Sequence, residues 1–426
     1  MSNFSNNPMW EAFRLRGLAS ASYGGADTAE CVSTIAQVGN GTSEDWYRQW
    51  TWTAERVFSV AVTSQEDGHL ACAREAYFRA SNYYHLSYLP LFGAPVDPWL
   101  VDAFARETDA FLCAARLNEF PIEPVEIPFE DASLPGYFLR PSASSQPRPT
   151  ILQVNGYDSN IQEMYFMSGL PAVRRGYNVL LLDGPGQGRN LIRDEMEMRP
   201  DWEIVVSAAV DYLLTRGEVD RTRIALAGRG FGGYLVSRAA AFEKRITALI
   251  ADPGLWDQRQ NLSDFYLPPE VILRFPDISR EVFDAIEEQL RSPDTDALTR
   301  WKILQRGMWV HGVDNLYDLI IEMCRYEISG LASKISCPTL ITAYEGDPLA
   351  NQAEALYAAL TCPKHLIRVI TARGVGGSSE FPAHTPCDQR VFDWLDTTLG
   401  VVACDTETSA LTPTSADTAR HLPRMS

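Results

Sequence analysis

The chain has 426 residues, 46% of them hydrophobic and 22% charged, a globular composition that suits one large domain with an accessory one. A net charge of −18 disfavours nucleic acid and anionic membrane as partners. The opening residues, Met1-Ser2-Asn3-Phe4-Ser5-Asn6-Asn7-Pro8, carry neither a basic nor an apolar stretch, and no apolar run approaches the ~20 residues of a membrane span, so a cytoplasmic protein is expected.

Residues 1–123 read as a helical domain. Trp10 to Arg16 opens it, an aromatic run (Tyr77, Phe78, Tyr83, Tyr84, Tyr88) follows, and Pro98 to Phe104 starts another helix with apolar residues at helical spacing. The aromatic stripe is read as packing rather than as a ligand box. From 124 to 401 the texture is that of an α/β domain. Val125–Phe129 and Gly136–Arg140 are expected to pair around a turn holding Leu134-Pro135-Gly136. Strands are then expected at Thr150–Asn155, Tyr177–Asp183, Arg223–Ala227, Ile246–Ala251, Thr339–Ala343 and Leu366–Thr371, with helices between them such as Trp202–Arg216. Short apolar runs alternating with helices predict a mostly parallel sheet flanked by helices on both faces. Residues 255–335 interrupt this rhythm with the helix Ser279–Leu290 and a segment rich in Trp, Met and Tyr, and are predicted to form a helical cap over the pocket. The polar stretch 402–426 reads as a disordered tail.

Three loops carry the candidate chemistry. Asn155-Gly156-Tyr157-Asp158-Ser159 ends the first apolar strand, where a backbone N–H could serve an oxyanion hole. Asp183-Gly184-Pro185-Gly186-Gln187-Gly188 is a tight turn whose glycine spacing does not fit a phosphate loop, so no nucleotide cofactor is expected. Gly228-Arg229-Gly230-Phe231-Gly232-Gly233 lies between a strand and a helix, the context of a nucleophile elbow, with Gly230 where the nucleophile belongs. Phe231 would supply the second oxyanion N–H. The eight cysteines are scattered without metal-ligand spacing, which argues for reduced thiols and no metal.

Taken with Arg16-Gly17-Leu18-Ala19-Ser20-Ala21-Ser22-Tyr23-Gly24-Gly25-Ala26-Asp27 and Phe392-Asp393-Trp394-Leu395, these loops make residues 10–400 resemble the α/β-hydrolases that include the pseudooxynicotine C–C hydrolase and the fungal heptaketide hydrolase of pigment synthesis. The resemblance implies the α/β-hydrolase fold, a homodimer and a Ser–Asp–His triad. Asp347, after the strand Thr339–Ala343, stands where the acid is expected. Gly230 stands at the nucleophile, and Ser378 falls where the histidine should be. His384, six residues on, is a candidate replacement, and His311 in the cap is a second, although a lone histidine is more often packed or solvated. By the same analogy Glu163 faces the pocket, unless it caps a helix.

Loss of triad members removes most of the rate of a serine hydrolase, so acyl transfer is not expected. An oxyanion hole built from Gly156, Tyr157, Gly230 and Phe231, with Ser378 beside it and Asp347, Glu163 or His384 to move protons, could still act on a polyketide-type small molecule without a covalent step. That reading covers ring closure, aldol or Knoevenagel condensation, dehydration and pericyclic steps. Two alternatives stand beside it: an inactive homologue that binds a metabolite or partner enzyme, and a hydrolase with an unrecognised nucleophile.

Overall fold

The computed structural model describes residues 7–265, 267–347, 351–369 and 384–401. Five helices come first: α1 (Pro8–Ala19), α2 (Thr28–Val38), α3 (Ser43–Glu66), α4 (Leu70–Tyr88) and α5 (Pro98–Arg116). Their starts are written in the sequence. Thr42 and Asp45 form a reciprocal capping box on α3, and Asp97 caps α5 ahead of Pro98 at its first position. The aromatic run of α4 is core. Tyr77, Phe78, Tyr83, Tyr84 and Tyr88 are all buried, with Phe78 stacked 4.7 Å from Tyr165 of the α/β body.

The body is one eight-stranded sheet in the order β1-β2-β4-β3-β5-β6-β7-β8. The strands are β1 (Ile122–Phe129), β2 (Ala132–Leu139), β3 (Arg148–Val154), β4 (Asn178–Leu182), β5 (Val219–Arg229), β6 (Ala248–Asp252), β7 (Thr339–Tyr344) and β8 (Lys364–Val369). β1 and β2 are antiparallel, β2 meets β4 antiparallel, and all later pairings are parallel. β4 and β6 are buried at every residue, because helices cover both faces. This is the α/β-hydrolase arrangement.

The first hairpin turns earlier than its sequence suggests. Phe129 pairs with Ala132, so the turn is Glu130-Asp131, with Glu130 at φ +49°, and Leu134-Pro135-Gly136 lies inside β2. The strand tolerates Pro135 because pairing with β4 begins only at Gly136. Gly136 itself is needed there: a Cβ would stand 2.8 Å from the Leu181 carbonyl oxygen.

Between β6 and β7 the chain forms a helical insertion that includes Gln258–Phe265, Arg280–Arg291 and Leu316–Met323. It has a small core of its own around Phe283, Leu290, Leu316, Leu319 and Ile320. It is also tied to the N-terminal helices, since the Trp301 indole donates to the Leu89 carbonyl at 2.9 Å and packs edge-on to Phe13.

Candidate active site

The elbow keeps its backbone. β5 ends at Arg229, Gly230 sits at φ +59°, and the helix Gly232–Phe242 begins two residues later. The Gly230 N–H is tied to the Asp252 carbonyl at 2.7 Å, and the Gly230 carbonyl accepts from Gly233 at 3.0 Å. Its neighbours have no room for a side chain. A Cβ on Gly232 would lie 2.6 Å from the Asn155 carbonyl oxygen, and one on Gly233 would lie 2.1 Å from that of Pro253. A Cβ on Gly230 would meet nothing within 4 Å. The nucleophile position is therefore open space beside a left-handed residue, a conformation glycine takes without steric cost.

The loop after β3 lies against this turn. A Cβ on Gly156 would be 3.3 Å from the Phe231 nitrogen, and the Tyr157 ring stacks on the Phe231 ring at 4.3 Å and 14°. Among the described residues, neither the Tyr157 nor the Phe231 N–H donates to another backbone group. The loop after β3 thus packs directly on the Phe231 amide beside Gly230.

What holds the loop was not legible as a motif. The Gln187 amide donates to the carbonyls of Asn155 at 2.7 Å and Gly156 at 3.1 Å, while its oxygen accepts from the Gly184 N–H at 3.0 Å. Asp183 accepts from the Asn155 amide at 2.5 Å, and burial pushes its carboxyl up to about 8. The glycine-rich turn after β4 is thus a brace for the oxyanion loop. On the loop's far side Arg16 donates to Asp158 Oδ1 at 3.0 Å and to the Asp158 carbonyl at 2.9 Å, and Arg306 of the insertion donates to Asp158 Oδ2 at 2.7 Å. Burial alone would raise the Asp158 carboxyl, but the two guanidinium groups outweigh it and hold it well below the usual range.

Glu163 takes a different part from the one the resemblance implies. It is buried, accepts a bidentate pair from Arg16 at 2.6 and 2.5 Å, and its N–H is capped by the Asn160 side chain. Burial opposes its ionisation, yet Arg16 and then His85 keep it charged. The pair ties α1 to the short helix that follows the loop after β3. Asp347 is buried just past β7, its N–H donating to the Tyr344 carbonyl at 3.1 Å. His384 is the first residue of the helix His384–Leu399, but its side chain and the whole of Ser378 lie outside the described residues.

Among the described residues, His311 reaches the loop after β3. Its Nε2 is 2.9 Å from the Tyr157 hydroxyl and its Nδ1 is 3.4 Å from that of Tyr326. Burial, with Arg306 and Arg325 nearby, pushes its pKa down to about 3, so it is a neutral imidazole at working pH. Phe231, Tyr157, Tyr234 and Tyr326 close around it as an aromatic wall. No spacing rule marked this residue. The elbow is braced beneath by Arg229, which pairs with Asp252 at 3.2 Å and Asp388 at 3.7 Å.

Residues 25–255, more than half of the chain, match the family described as "Esterase FrsA-like". The chain belongs to the FrsA-like esterase family. Among its relatives, "Hydrolase LUC6" of a Fusarium species is 32% identical over 407 residues, covering 91% of this chain and 96% of the relative. "20-hydroxy-prefusarin hydrolase FUS2" of Gibberella moniliformis is 32% identical over 409 residues, with 91% and 96% covered. Among solved structures, the 2,6-dihydroxy-pseudo-oxynicotine hydrolase superposes with a TM-score of 0.69 at 22% identity, over 90% of this chain and 95% of that one, which bears on the fold alone. No helix among the described residues is long and apolar enough to cross a membrane.

Proposed function

We propose that this chain acts on a carbonyl-rich, polyketide-type small molecule by non-covalent chemistry: enolisation leading to ring closure, condensation or loss of water. The observation that carries this reading is the elbow itself. It retains the left-handed turn and the Phe231 N–H, while the residue it presents, Gly230, has no atom with which to attack. In the proposed reaction the Tyr157 and Phe231 N–H groups bind a carbonyl oxygen and take up the charge that grows on it as an adjacent C–H bond ionises. The open volume at Gly230 accepts the part of the substrate that a nucleophile would otherwise exclude. The name of one relative, a 20-hydroxy-prefusarin hydrolase, supports a substrate of fungal secondary metabolism. Asp347 is assigned to holding the charge or proton balance at the end of β7.

The test is the mass balance of a single turnover on a linear, β-dicarbonyl-containing intermediate in heavy-oxygen water. The reading predicts a product isomeric with the substrate or lighter by one water, with no heavy oxygen in a new carboxylate. Incorporation of solvent oxygen into a cleaved acid would overturn it in favour of hydrolysis.

A further inference from the structure

A chain of hydrogen-bonding groups leaves the oxyanion loop and runs to the surface. The Tyr157 hydroxyl is 2.9 Å from His311 Nε2, His311 Nδ1 is 3.4 Å from the Tyr326 hydroxyl, and that hydroxyl is 3.4 Å from Glu322 Oε1. His311 and Tyr326 are buried, whereas the Glu322 side chain is 16% exposed and accepts from a 57% exposed Arg325 at 3.0 and 2.8 Å, a pair that water reaches and screens. The chain therefore starts on a ring stacked against Phe231 of the elbow and ends in reach of water.

We propose that Tyr157, His311, Tyr326 and Glu322 form a proton relay that carries a substrate proton from the oxyanion loop to solvent. Its direction follows from which groups can donate. An ionised Glu322 only accepts, so the Tyr326 O–H points to it. The Tyr326 oxygen then accepts the single N–H of a neutral His311 from Nδ1, which leaves the Nε2 lone pair to accept the Tyr157 O–H. The thioether of Met323, 3.8 Å from the Tyr157 hydroxyl, is the weaker competing acceptor. The lone pairs of Tyr157 are then left to accept a proton from substrate.

This inference rests on the non-covalent reading and gives it a base. A substrate C–H next to the bound carbonyl passes its proton to the Tyr157 oxygen as Tyr157 passes its own to Nε2. Nδ1–H moves to Tyr326, and the Tyr326 proton moves to Glu322. The carbon–hydrogen bond breaks, its electron pair becomes the enolate, and Glu322 ends as a neutral acid that exchanges with water. One negative charge moves from Glu322 to the oxyanion site, and no phenolate or imidazolium is required. That suits a histidine faced by Arg306 and Arg325, which resists carrying charge.

The test uses the full chain labelled with nitrogen-15 at its six histidines, and needs no substrate. Nitrogen NMR should find His311 neutral with its proton on Nδ1. In Tyr326→Phe the acceptor is gone and the proton should move to Nε2, toward Tyr157. In Glu322→Gln, which keeps the side chain's shape and is checked for an unchanged circular dichroism spectrum, exchange of the His311 N–H with solvent should slow by about 10²-fold, the usual worth of a positioned acid–base group. An Nε2–H tautomer in the parent chain, or an exchange rate unchanged in Glu322→Gln, would overturn the relay. Because these readouts are independent of turnover, they can fail while the mass-balance experiment succeeds, and the reverse.

Discussion

The glycines of the elbow make opposite predictions for the addition of a small side chain. At Gly230 a side chain meets open space, so Gly230→Ser costs only the left-handed backbone, about 1–2 kcal/mol for an L residue. At Gly233 the added carbon would stand 2.1 Å from the Pro253 carbonyl oxygen, and at Gly232 it would stand 2.6 Å from that of Asn155. Both contacts are backbone, so neither can be relieved by turning a side chain, and β3 or the β6 turn must shift. Overpacking of this kind costs roughly 1–3 kcal/mol or more, and backbone clashes this close lie at the upper end, only partly offset by the lower entropy of the unfolded chain. Urea titrations followed by both circular dichroism and tryptophan fluorescence measure the difference and show whether the helical region and the sheet unfold together. The order expected is Gly230→Ser least damaging, then Gly232→Ala, then Gly233→Ala. If Gly230→Ser cost as much as Gly233→Ala, the open volume at the nucleophile position would be refuted.

Arg16→Ala leaves Asp158 and Glu163 without their shared cation and should cost about 3–5 kcal/mol, read as a drop in the denaturation midpoint, with Arg16→Lys restoring part of it. Gln187→Ala unpairs two loop carbonyls and should cost about 1–3 kcal/mol while lowering kcat more than it alters KM. Asp183 has a folded pKa raised to about 8, so the unfolded chain releases this proton first and stability falls as pH rises from about 4 toward 8. Asp183→Asn, which mimics the protonated acid, should remove that part of the slope in a pH series of unfolding midpoints.

Most of the fold could be read from the chain because strand and helix periodicities are local. β3 to β8 fall where short apolar runs alternate with helices, and the helix Arg280–Arg291 begins one residue after the expected Ser279. The first hairpin was misplaced because Leu134-Pro135-Gly136 looks like a turn until β4 is seen to start pairing only at Gly136. The strand–turn–helix of the elbow and the loop after β3 were legible, since a backbone turn at a strand end depends on position rather than side chain. The brace was not. Gln187, Arg16 and Arg306 reach the loop from points far apart in sequence, and no spacing rule connects them. Glu163 illustrates the same limit, because its partner Arg16 lies 147 residues away in sequence. His311 stood in a segment with no strand rhythm, and only the folded insertion brings it to Tyr157.

The account stands on the absence of a covalent step at the elbow. Intact-protein mass spectrometry after treatment with a fluorophosphonate tests it most directly, because that reagent caps activated serine nucleophiles whatever the natural substrate. The parent chain should keep its unmodified mass. A stoichiometric adduct on any residue of the parent chain would contradict the account and restore a hydrolase with its nucleophile elsewhere.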